Sequence, residues 1–151
     1  MNNTEQAKIV KQPRPTVTQN MILAAVLPVA ESLGMSAETI VNHYRYPMDG
    51  FDLALELSKY AGMDVSRNDF EELDGIEWSI RIAHEAAQKI WVTEFDIQPP
   101  LPIGSKITKG VVEGICGHQP ACYLVKEYGC TDDSRYLIIK FEKAELLKEP
   151  T

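Results

Sequence analysis

The chain has 151 residues, a formal charge of −7 at pH 7 and three cysteines. Its hydrophobic fraction of 44% excludes a wholly disordered chain, and the length allows the core of one domain or of two small ones. The longest apolar run, Met21–Val29, is far shorter than the roughly 20 residues of a membrane span. The N-terminus has no apolar segment typical of a signal peptide, so we expect a cytoplasmic protein with reduced cysteines.

The negative charge is concentrated in the middle of the chain. Residues 1–20 carry a net charge of +2, and residues 98–151 are neutral with seven charges of each sign. Residues 21–97 carry five basic and 14 acidic side chains, a net charge of −9. This acidity disfavours a function in which that segment neutralises phosphates over a broad face.

Helical signals begin after a polar segment, residues 1–16, which we expect to be a flexible arm. Thr18 is a suitable N-cap for a helix that ends at Leu33, and Gly34 suits the residue that follows its last turn. Pro28 lies within this span, so it either kinks the helix or marks the first turn of a second one.

Three further helices are predicted, with approximate spans 37–44, 50–61 and 66–92. Ser36 and Asp49 are the expected N-caps of the first two. The third span has the strongest periodic signal, because apolar residues recur at steps of three and four and therefore share one helix face. Gly75 marks a possible break in it.

The pattern changes at residues 98–102, where three prolines fall within four positions and predict a hinge between subdomains. Beyond it, short alternating or β-branched runs predict four antiparallel strands at 105–109, 111–116, 122–128 and 135–141. The expected fold is therefore α+β: an acidic helical domain of four or five helices over 17–97, then a small barrel-like β domain over 103–151.

A segment near the first helix is similar to the helix-turn-helix motif. Ala30 would allow close helix approach, Gly34 would make the turn and Ile40 would anchor the second helix. The residues that would then face DNA are Ser36, Ala37, Asn42, His43 and Arg45. An ordinary pair of helices makes the same demand for a glycine turn, and the acidity of the following segment makes nucleic acid the less favoured partner.

The second region of interest holds three thiols and one imidazole within 15 residues, the number of ligands that a structural zinc site needs. These candidate ligands are Cys116, His118, Cys122 and Cys130. Neither cysteine pair has the usual two-residue spacing, so the alternative is two buried thiols beside a solvated turn histidine. No third group marks a catalytic cysteine–histidine pair, and the common phosphate-binding, zinc-protease and serine-hydrolase motifs are absent from the sequence, so we expect no enzyme.

The acidic run in the longest helix is either a solvated face or a docking surface for a protein with a basic surface. The residues predicted to bind the partner are Glu71, Glu72, Asp74 and Glu77 for charge, with Tyr128 and Tyr136 as anchors.

A wider resemblance is carried by the runs at 96–104, 109–115, 123–126 and 137–142. Over roughly residues 48–145 the chain resembles small accessory proteins of temperate tailed phages and prophages, and its C-terminal part is similar in layout to SH3-like barrels. The resemblance implies no cofactor and a role in the host cytoplasm through binding of a host or phage macromolecule. The leading prediction is thus a non-enzymatic protein-binding module; the alternatives are a helix-turn-helix transcriptional regulator and a zinc-stabilised interaction module.

Overall fold

The computed structural model describes residues 12–148, which form four α-helices and one four-stranded antiparallel sheet, an α+β fold. The chain divides into two compact units. The first, here the helical unit, is Thr16–Ala86. The second, here the sheet unit, contains the described residues 12–15 and 87–148.

The first three helices of the helical unit begin where the sequence predicts. They are α1 Gln19–Leu33, α2 Ala37–His43, α3 Gly50–Tyr60 and α4 Asp69–Glu94, of which residues 69–86 belong to this unit. The predicted N-caps are confirmed, because the side chains of Thr18, Ser36 and Asp49 each accept a hydrogen bond from a backbone N–H three residues later. The largest fully buried aliphatic side chains of the core are Ile40, Leu53, Leu57, Leu73, Ile76 and Ile80.

Two expected interruptions do not divide a helix. Pro28 lies inside α1, which remains one helix, and Gly75 lies inside α4, which continues for 19 residues beyond it to Glu94. Helix α4 begins at Asp69 rather than at Ser66, whose backbone N–H donates to Asp69 Oδ2 at 3.0 Å. The division between the two units falls between residues 86 and 87, within α4.

The sheet unit is built on four sequential antiparallel strands. They are β1 Lys106–Ile107, β2 Gly110–Ile115, β3 Cys122–Glu127 and β4 Leu137–Lys140, in the order β1-β2-β3-β4, followed by a 3₁₀ turn at Phe141–Lys143. The sequence thus predicts all four strands; three of them are shorter than predicted, and β2 has the predicted length but begins one residue earlier. Tyr123 is fully buried in the core of this unit, and its hydroxyl accepts a hydrogen bond from Leu101 N at 2.8 Å. The proline-rich segment at 98–102 therefore contributes a buried side chain, Leu101, to this core.

Residues 12–15 of the predicted N-terminal arm are held in the sheet unit by contacts of Arg14. Residues 1–11 of that arm lie outside the described residues. The Arg14 side chain is only 6% exposed, and its guanidinium donates to both carboxylate oxygens of Glu142 at 2.8 Å. The same group lies 5.0 Å from the centre of the Trp91 ring, and Trp91 Nε1 donates to the carbonyl of Gln12 at 2.9 Å. The guanidinium of Arg14 also donates, at 2.7 Å in each case, to Gln88 Oε1 and to the carbonyls of Pro120 and Ala121.

Candidate partner-binding surface

The four acidic residues predicted to bind a partner all lie near the start of α4, but they do not share one role. Glu71 and Glu72 are exposed in the first turn, and neither makes an ion pair with any residue of the described chain, 12–148. Their charges are favourable there because the helix N-terminus carries a partial positive charge. These two carboxylates are therefore open to a partner.

Asp74 has a structural role. Its Oδ1 accepts a hydrogen bond from Gly50 N at 2.8 Å, at the start of α3. The two helices approach so closely there that a Cβ on Gly50 would lie 2.6 Å from both Asp74 N and Phe70 O. Asp74 therefore satisfies an N–H that the helix itself leaves unpaired, and it joins α3 to α4.

Glu77 is half-buried and faces both a cation and a buried phenol. Arg81 Nη1 lies 3.8 Å from Glu77 Oε1, one helical turn away. Burial first, and then the charge of Glu77, raise the pKa of Tyr44 far above its ordinary value, with smaller contributions from Tyr46 and Asp74. The Tyr44 hydroxyl is therefore neutral at physiological pH, and it makes no hydrogen bond within the part of the chain that the structure describes.

The helical unit as a whole carries an uncompensated negative charge. It has 12 acidic and four basic side chains, a net charge of −8. Three of its four cations are already engaged: Arg45 and Arg81 lie within 4.0 Å of glutamates, and Lys59 Nζ lies 5.3 Å from the centre of the Tyr60 ring. A basic protein surface would therefore be attracted to this unit and oriented by it.

The two predicted tyrosine anchors belong to the sheet unit, whereas the acidic residues belong to the helical unit. Tyr128 is partly exposed, but its hydroxyl donates to the carbonyl of Ile107 at 2.7 Å. The ring of Tyr136 lies 5.1 Å from Lys126 Nζ, and that ammonium group also donates to the carbonyl of Asp132. Both rings keep exposed area, and both already have a partner within their own unit.

The segment similar to helix-turn-helix does contain two helices joined at Gly34, which has the left-handed φ of 67°. Ile40 is fully buried, as the motif requires. However, the Ser36 side chain caps α2 by accepting from Thr39 N at 3.3 Å, and Ala37 packs partly buried against the core. Neither residue presents an unused side chain to DNA.

The remaining three candidate DNA contacts differ in availability. Asn42 is exposed. His43 Nδ1 and Arg45 Nη2 lie 3.8 and 4.0 Å from the same carboxylate oxygen of Glu56, although 82% of the Arg45 side chain is exposed. A carboxylate beside both basic groups weakens their attraction to phosphate.

The predicted zinc ligands are not gathered into a metal site. Within residues 12–148, no group of three or more His, Cys, Asp or Glu side chains is placed to hold a metal ion. Cys116 directly follows β2 and Cys122 begins β3; both are buried, and the Cys116 N–H donates to the Cys122 carbonyl at 2.8 Å. Burial raises the pKa of the Cys122 thiol, although the nearby Arg14 lowers it in part, and His118 lies exposed in the turn. The arrangement matches the alternative interpretation of two buried thiols and a solvated histidine.

No family model, curated protein or solved structure matches this chain. Among the four helices within residues 12–148, none combines the length and the hydropathy needed to cross a bilayer.

Sequence reasoning overlooked one exposed apolar pair, Trp78 and Ile82, which lies on α4 beyond the acidic residues. The signal was present in the spacing: at 100° per residue, positions 78 and 82 fall on the side of the helix opposite the buried Leu73, Ile76 and Ile80. The periodic core pattern predicts the buried side of the helix and does not report apolar residues on the exposed side.

Proposed function

We propose that this chain is a non-enzymatic accessory protein, of the kind found in temperate phages, that acts in the host cytoplasm by binding a protein with a basic surface and so modulates it. The observation that carries the proposal is the net charge of −8 on the helical unit, with Glu71 and Glu72 left without an ion pair among the described residues. Charge of one sign over a compact unit accelerates and orients encounters with a partner of opposite sign. A likeness of the small sheet to an SH3-like barrel is part of the same proposal and is supported by its four short sequential antiparallel strands.

The experiment reverses only the charges that the fold does not use. Glu71→Lys with Glu72→Lys changes the net charge by four units and leaves the Asp74 contact to α3 in place. The matched control, Glu113→Lys with Glu145→Lys, makes the same change at two exposed positions of the sheet unit. Circular dichroism first establishes that both variants are folded.

Each immobilised protein is then used to capture partners from a lysate of the native host, and the captured protein is identified by mass spectrometry and titrated in purified form. We expect the E71K/E72K variant to bind this partner at least tenfold more weakly and the control variant to bind it like the wild type. Affinity should also fall as salt rises, because exposed charges are screened. Equal affinity of the two variants would contradict the proposal.

The second candidate function is DNA binding through the helix-turn-helix-like pair, and the observation that favours it is the left-handed turn at Gly34 together with the burial of Ile40 of α2 in the core. Such binding should shift double-stranded DNA at low salt and weaken steeply as salt rises. Absence of a shift at low salt removes this candidate, and Arg45→Ala tests the residue that would contact phosphate.

A further inference from the structure

The exposed side of α4 in the helical unit carries a large apolar pair without an internal role. Trp78 is 57% exposed and Ile82 is 45% exposed, and they lie one turn apart on the side of the helix that faces away from the core. Within residues 12–148, Trp78 makes no hydrogen bond and no ring or cation–π contact, in contrast to Trp91, which is 4% exposed and bonded through Nε1. Tryptophan is one of the side chains enriched among the central anchors of protein interfaces.

Gly75 lies on the same side of α4, one turn before Trp78. A Cβ at Gly75 would meet nothing within 4 Å, whereas a Cβ at Gly50 would collide with the backbone of α4. Close packing therefore explains why position 50 is glycine. It does not explain glycine at position 75, where this residue weakens the interior of the helix. A glycine with open space above it leaves a notch in the helix surface into which a second backbone can approach closely.

The charges around this side select the occupant. Glu71 and Glu72 lie four and three residues before Gly75, about one helical turn away, and both are exposed. A second copy of the helical unit would bring another net charge of −8 against the same surface, so self-association is electrostatically opposed. A basic segment with an apolar stripe is complementary to both the charge and the Trp78–Ile82 pair.

We propose that the side of α4 formed by Glu71, Gly75, Trp78 and Ile82, here the α4 face, binds a basic amphipathic α-helix of the partner, which crosses α4 at the Gly75 notch. This inference rests on the proposed function and names the element that the acidic unit recognises. A helix fits because the face is a straight stripe of 12 residues, about 17 Å long at 1.5 Å per residue. Ridges of one helix packing into the grooves of another bring the partner backbone close where the side chain is smallest.

The test uses two synthetic 18-residue helical peptides with the same leucine stripe, one carrying lysines beside the stripe and the other glutamates. Binding to the full chain is measured by anisotropy of the labelled peptide and by the shift of tryptophan emission. We expect the lysine peptide to bind at least tenfold more tightly than the glutamate peptide and to shift the emission to the blue, as Trp78 becomes buried. Equal binding of the two peptides would overturn the proposal.

Three variants separate the α4 face from other exposed apolar surface. Trp78→Ala and Gly75→Leu should each weaken the lysine peptide at least tenfold. Gly75→Leu should at the same time raise the unfolding midpoint, because leucine favours the helix and a Cβ at this position meets nothing within 4 Å, so lost binding cannot reflect lost structure. The control is Leu55→Ala, which removes an equally exposed side chain from α3 and should leave the affinity unchanged.

Three results would overturn this inference, and they bear differently on the proposed function. If E71K/E72K abolishes peptide binding but W78A and G75L do not, the acidic surface remains and the α4 face is refuted. If W78A and G75L weaken the peptide but E71K/E72K does not, recognition by charge, and with it the proposed function, is refuted. A concentration-dependent dimer in sedimentation velocity that W78A abolishes would assign the face to a second copy and overturn the proposal.

Discussion

Replacement of Arg14 by alanine should destabilise the sheet unit more than any surface ion-pair change. The substitution removes a guanidinium that is 6% exposed and leaves the Glu142 carboxylate without its two 2.8 Å partners. Removal of one partner from a buried ion pair costs about 3–5 kcal/mol, because the remaining charge is left desolvated. Glu142 retains 26% exposure of its side chain, which allows partial rehydration, so we expect a loss near the lower value, about 3 kcal/mol.

The assay is urea unfolding followed by the emission of Trp91, whose ring lies under the Arg14 guanidinium. A Trp78→Phe background removes the other tryptophan, which is on the surface. With a denaturant slope of about 1.5–3 kcal/mol per molar, a loss of about 3 kcal/mol lowers the midpoint by about 1–2 M. The unfolding midpoint of Arg14→Lys should lie between those of the wild type and Arg14→Ala, because an ammonium group keeps the charge but cannot donate to both carboxylate oxygens in the planar fork geometry.

The matched control is Arg81→Ala, which removes the same side chain from a surface pair with Glu77. That arginine is 55% exposed, and such pairs contribute about 0.3–0.5 kcal/mol. If R14A and R81A shift the midpoint equally, the argument that the buried guanidinium fixes the sheet unit is refuted.

The remaining predictions concern single positions. Gly50→Ala should cost about 2 kcal/mol or more in chemical denaturation, because its Cβ would lie 2.6 Å from α4 backbone atoms, whereas Gly75→Ala should stabilise by about 1 kcal/mol; a reversed order would contradict the helix crossing. Tyr44→Phe should be neutral or stabilising by about 1 kcal/mol, since it removes a buried hydroxyl with no hydrogen bond in the described chain; a large loss in thermal unfolding would reveal a missed partner. Burial raises the pKa of Glu142, but the hydrogen bond and charge of Arg14 lower it by more, so the folded pKa lies below the unfolded value of about 4.3. The ionised Glu142 therefore stabilises the fold fully above that unfolded pKa, and this stabilisation is lost as pH falls through the folded pKa. Glu142→Gln should remove this part of the acid dependence in urea titrations at a series of pH values.

The sequence by itself determined the local structure of this protein. Caps at Thr18, Ser36 and Asp49 are side-chain to backbone contacts over three residues, so the helix starts could be located without knowledge of the fold. Alternation and turn residues located the four strands for the same reason. The effect of Gly75 could not be settled locally, since packing of one face of α4 outweighs the helix propensity of a single residue.

Tertiary structure alone decided which side chains are available for function. Asp74 could not be distinguished from Glu71 by sequence, because its partner, Gly50 N, lies 24 residues away. Arg14 looked like part of a loose basic arm until its contacts with Glu142, 128 residues distant, placed it in the sheet unit. Contacts between distant parts of the chain depend on how the core packs, and composition and periodicity do not report them. Of the four acidic residues predicted to bind a partner, these contacts leave Glu71 and Glu72 exposed without an ion pair or a hydrogen bond to another helix among residues 12–148.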